Sequence, residues 1–132
     1  MSTLAAARRR TWAAGLTMVL LLMQLVALYA PSAGSGGVPV SDKVVHAVIF
    51  AAPVVSAAVA RWRWGALAVL LAVHAPLSEL VQGALLPARS GDPWDVVADL
   101  VGVAGGCAAA LLVTAARRRA GIVGGSSSRQ AR

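Results

Sequence analysis

Four apolar runs of 17 to 22 residues leave this chain few ways to fold: Trp12–Ala30, Val44–Ala60, Gly65–Leu86 and Val96–Ala116. At ~1.5 Å per residue, a helix over each is roughly 26 to 33 Å long, matching a hydrocarbon core of ~30 Å. A soluble domain of 132 residues cannot hide such runs, because 58% of the chain is apolar and small domains bury a limited share of their surface. The same apolar content excludes disorder. The expected fold is all-α, an integral membrane four-helix bundle. Pro53 and Pro76 fall inside runs; in lipid such prolines kink a span rather than end it.

The arginines set the orientation. Ten of them lie before the first run, in the second–third turn, and after the fourth run: Arg8–Arg10, Arg61 and Arg63, Arg117–Arg119, Arg129 and Arg132. The other two connections hold only Lys43 and Arg89. By the positive-inside rule both termini are expected to be cytoplasmic, in a multi-pass membrane protein. A net charge of +7 would point to nucleic acid in a soluble chain; here the cations mark span ends, and no nucleic-acid partner is expected. Three regions follow: a basic N-terminus (1–11), the transmembrane domain (12–116), and a basic Gly/Ser-rich tail (117–132) whose composition predicts disorder. Two readings of the first run stand, a retained span or a signal peptide cleaved after it. The single Cys107 excludes an internal disulfide and a cysteine-rich zinc site.

All five carboxylates, Asp42, Glu79, Asp92, Asp95 and Asp99, fall on or near the outer side. Glu79 and Asp99 lie within apolar runs, where an ionisable group costs about 2.5–3.5 kcal/mol at the span centre and faces the bundle interior. Glu79 and Gln82 are three apart and share a helix face. His46 lies a turn beyond Lys43. Asp95, Asp99, Gly102 and Gly106 form one stripe, with carboxylates outside and small residues deeper, where a neighbouring helix packs closely. His46, Glu79, Gln82 and Asp99 are thus expected at similar depth, with Lys43, Arg89 and Asp95 above them. The cluster reads either as a hydrogen-bond network pinning helices or as a ligand-contacting site. A metal site of His46, Glu79 and Asp99 is conceivable but has only one well-placed imidazole, so neither a metal nor a cofactor is expected. His74 is expected to bond the carbonyl that Pro76 frees at Ala72. Trp62 and Trp64 read as interfacial anchors.

Together, Asp42-Lys43-x-x-His46 with Phe50, Glu79-x-x-Gln82, Pro87-x-Arg89 and Asp95-x-x-x-Asp99-x-x-Gly102-x-x-x-Gly106 resemble the VanZ-like membrane proteins over residues 41 to 106. Asp99 departs from the pattern, since the family often has Asn there. The resemblance implies a link to glycopeptide (teicoplanin-type) resistance through the name-giving member, with no assigned chemistry for most relatives. The leading functional expectation is recognition of a membrane lipid or lipid-linked envelope component. In it, Arg89 and Lys43 hold an anionic group, while Asp42, His46, Glu79, Gln82, Asp95 and Asp99 contact the polar portion. The alternatives are an enzyme using Glu79 or His46 in acid–base chemistry on a lipid-linked substrate, and a scaffold subunit binding a partner helix along Gly102 and Gly106. No activated nucleophile stands out to favour the enzyme.

Overall fold

The computed structural model describes residues 3–30, 39–86 and 91–129, with side chains for 4–30, 42–86 and 91–120. Four helices account for nearly all of them: α1 (Thr3–Tyr29), α2 (Pro39–Ala60), α3 (Trp64–Leu85) and α4 (Pro93–Arg129). Each contains a window long and apolar enough to cross a membrane. The protein is an all-α bundle of four candidate spans, and an even number of crossings returns the chain to the side from which it started.

The helices outrun the apolar runs at several ends. Hydropathy marks where lipid begins, whereas helix formation needs only good formers and no breaker. α1 therefore starts at Thr3 and includes Arg8–Arg10, because Ala and Arg are strong helix formers. α4 continues to Arg129, through the Gly/Ser-rich segment expected to be disordered from Ala120. That segment has glycines but no proline, and glycine weakens a helix by only about 1 kcal/mol per residue where proline costs about 3. Pro53 and Pro76 both sit inside unbroken helices, as expected. Pro39 and Pro93 instead open α2 and α4, where their lack of an N–H leaves no helix bond unmade.

α2 is the central helix, with 44% of its apolar window buried against 22% for α1. Phe50, Val54 and Ala58 of α2 form the core with Leu71 and Ala75 of α3, and with Val103 and Ala110 of α4. Large apolar side chains elsewhere face outward, among them Leu22, Leu70 and Leu112. Outward apolar faces on every helix suit contact with acyl chains rather than water. α1 is docked by polar contacts as well as by Leu28. The Thr17 hydroxyl, 2.8 Å from the Ala13 carbonyl, also lies 3.0 Å from Ser56 Oγ across the α1–α2 contact. Farther along, the Tyr29 hydroxyl lies 3.0 Å from His74 Nε2.

The α2–α4 contact is the tightest. A Cβ on Gly102 would overlap the Ala47 backbone, and one on Gly106 would lie 2.9 Å from the Ala51 carbonyl oxygen. The two backbones touch at consecutive turns, which only a small-xxx-small surface permits.

At the opposite end of α2 the chain turns in three residues. Arg61 adopts a left-handed conformation (φ 63°). The Trp62 N–H donates to the Ala57 carbonyl, and the Arg61 N–H to that of Ala58. This is a Schellman cap built without its usual glycine. Arg117 of α4 reinforces it by donating to the carbonyls of Ala58 and Val59 at 2.8 and 3.1 Å.

Candidate functional site

The site lies at the end of the bundle away from the arginine-rich turn. α2 supplies Asp42, Lys43 and His46, α3 supplies Glu79 and Gln82, and α4 supplies Asp95 and Asp99. Because Gly102 meets Ala47 backbone to backbone, the side chains about one turn above on both helices have nowhere to go but into contact. His46 Nδ1 lies 2.9 Å from Asp99 Oδ1, where an N–H on that nitrogen donates to the carboxylate. His46 Nε2 is 3.9 Å from Asp95 Oδ2. Asp99 is fully buried, and His46, Glu79 and Gln82 nearly so. One oxygen of Glu79, one of Asp99 and a ring nitrogen of His46 all lie within 4.8 Å of one another.

α3 reaches the cluster by a different device. Gly91 passes so close to it that a Cβ would lie 2.9 Å from the Glu79 carbonyl oxygen. That approach brings the Asp92 N–H to Glu79 Oε2 at 2.8 Å. Gln82 Nε2 donates to the other carboxylate oxygen, Oε1, at 3.4 Å.

Asp92 was not expected in the site, and it proves to be its hub. Its side chain caps α4 by accepting the Trp94 N–H at 2.9 Å and pairs with Lys43, while its backbone holds Glu79. The signal was legible as Asp92-Pro93, an N-cap residue followed by proline at the first helical position. The Lys43 ammonium, helped by the Trp94 N–H, holds the Asp92 carboxyl below the ordinary aspartate range.

The geometry thus gathers His46, Glu79, Gln82 and Asp99 at one depth, with Lys43 and Asp95 above them. Asp42 stands exposed at the rim, within ligand distance of His46 and Asp95. Lys43 bonds both Asp92 and Asp95, so its charge is spent within the site and not held free for an anion. Arg89, the other expected anion holder, lies outside the described residues. Gly102 and Gly106 pack helices as expected. His74 differs from expectation. Its ring turns across the bundle instead, lying 3.0 Å through Nε2 from the Tyr29 hydroxyl of α1 and stacking on Phe50 of α2 at 6.0 Å between ring centroids. Ser78, beside Glu79 in sequence, turns back to donate to the Ala75 carbonyl.

Chemically, the site is a carboxylate-rich pocket with one committed cation. It offers acceptors to hydroxyl and ammonium groups and ligands to metal ions, and among the described residues it shows no nucleophile paired with a base. A shallow apolar groove adjoins it between α2 and α4, lined by Val44, Ala47, Trp94, Val97 and Val101 with Lys43 at its edge. No family model, no curated protein and no solved structure matches the chain.

Proposed function

We propose that this chain is a VanZ-like multi-pass protein of a bacterial plasma membrane that binds the polar head of an envelope amphiphile at the outer leaflet. The observation that carries the reading is the convergence of buried His46, Glu79 and Asp99 from three separate helices to within 4.8 Å. Ionisable groups inside a span are expensive, face the bundle interior, and are read by default as functional. The residues at the rim and the apolar groove beside Lys43 fit the two halves of an amphiphile, the head against acceptors and a chain along Val97 and Val101. With Lys43 held by two aspartates, hydroxyl and amino groups are the portions of the head that these side chains receive.

The test is lipid retention. Full-length protein purified in mild detergent is compared with Glu79→Gln by mass spectrometry of the co-purifying lipids. A charge-assisted hydrogen bond contributes about 1.5–3 kcal/mol, so the variant should retain a specific head-group class about tenfold less well or worse. Equal retention by two folded proteins rejects the reading. Loss of glycopeptide tolerance in cells carrying Glu79→Gln would tie the same pocket to the resistance associated with the family's name-giving member.

A further inference from the structure

We propose that His46, Glu79 and Asp99 form a binding site for one divalent transition-metal ion of the zinc or manganese type. Three side chains from α2, α3 and α4 present an imidazole nitrogen and two carboxylate oxygens within 4.8 Å of one another, all buried. Such a donor set suits zinc and manganese ions. In a tetrahedral zinc site with bonds of ~2.0–2.2 Å, ligand atoms lie roughly 3.3–3.5 Å apart. The three donor atoms already lie within 4.8 Å of one another.

The independent observation is Asp99. Its side chain is completely buried, yet its second oxygen, Oδ2, has no hydrogen-bond partner. A buried charged acceptor left unpaired is strongly unfavourable, and Glu79, the nearest other carboxylate in the group, adds like-charge repulsion. A divalent cation removes both penalties at once. His46 Nδ1 and Asp99 Oδ1 already lie 2.9 Å apart, close to the separation of two donors on one ion, so a metal can take the place of the proton between them. Asp42 and Asp95 share His46 in a second, shallower grouping whose Asp42 is exposed; it offers an entry path from the outer surface.

Metal is measured on detergent-purified, full-length protein without added lipid, so the result stands apart from the head-group reading. Protein stripped with a chelator is titrated with zinc and with manganese by calorimetry, and bound metal is counted by elemental analysis. One equivalent per chain is expected, with a raised melting temperature. Cobalt bound in place of zinc should give visible d–d absorption that reports nitrogen and oxygen ligation. Glu79→Gln and Asp99→Asn should each weaken binding at least 10-fold, whereas Thr114→Ala, toward the other end of α4, should bind as the native protein does. Circular dichroism checks the fold, and if Asp99→Asn fails to fold, Glu79→Gln carries the test. No binding by the native protein overturns the proposal, and protons then balance the buried pair. Binding unchanged in Glu79→Gln, or abolished by Asp42→Asn, overturns it too, by placing the metal at the rim.

Discussion

Asp92 does three jobs with one residue: its carboxylate caps α4 and pairs with Lys43, and its N–H anchors Glu79. Its carboxyl is held below the ordinary aspartate range by Lys43. A depressed carboxyl contributes stability that is fully present above the unfolded value of about 3.9 and is lost as pH falls through the folded value. Thermal stability in detergent should therefore decline below about pH 4, and Asp92→Asn should flatten that part of the curve while lowering stability at neutral pH. The exposure of the pair, 31% and 40% for the two side chains, keeps the charge effect small. An Asp92→Asn curve parallel to the native one would show that other carboxylates govern the acid limb.

Helix contacts in this bundle divide into one rigid seam and several softer ones. Gly102 and Gly106 press α4 onto the α2 backbone, whereas a Cβ on Gly105 would meet nothing within 4 Å. Gly102→Ala should cost about 1–3 kcal/mol through overpacking. Gly105→Ala should be neutral or stabilise by up to about 1 kcal/mol through helix propensity alone. Chemical denaturation of both variants in the same detergent checks the contrast, and equal effects would place the seam elsewhere. At the opposite end, Arg61 holds a left-handed conformation that glycine adopts freely. Arg61→Gly should stabilise by about 0.5–1 kcal/mol, and Arg117→Ala should destabilise by about 1 kcal/mol as two carbonyls lose their donor. Both are read from the same melts.

At the scale of the whole molecule, four spans and the arginine pattern predict which loops meet the outside. In a Cys107→Ala background, a cysteine replacing Ser35 should react with an impermeant reagent on intact cells, and one replacing Trp62 should not; the reverse pattern would invert the bundle. The spans were legible because hydropathy records the lipid boundary directly. So was the shared depth of His46, Glu79 and Asp99, since three- and four-residue spacings fix a helix face. The fate of Lys43 was hidden, because its partner Asp92 lies 49 residues away and only tertiary packing joins them. Tyr29 and His74, 45 residues apart, were hidden for the same reason. The helical extension to Arg129 was missed because composition reports solvation and not backbone conformation.

The separation of charge along the bundle, with the carboxylates at one end and eight arginines with described side chains at the other, also has an electrical meaning. An energised membrane is negative inside, and each elementary charge carried across 100 mV changes the energy by about 2.3 kcal/mol. Reversing the bundle would drive its cationic end outward against that voltage and its anionic end inward against it as well. Such a voltage would favour the orientation that the arginine pattern predicts, leaving the carboxylates on the side from which external cations arrive.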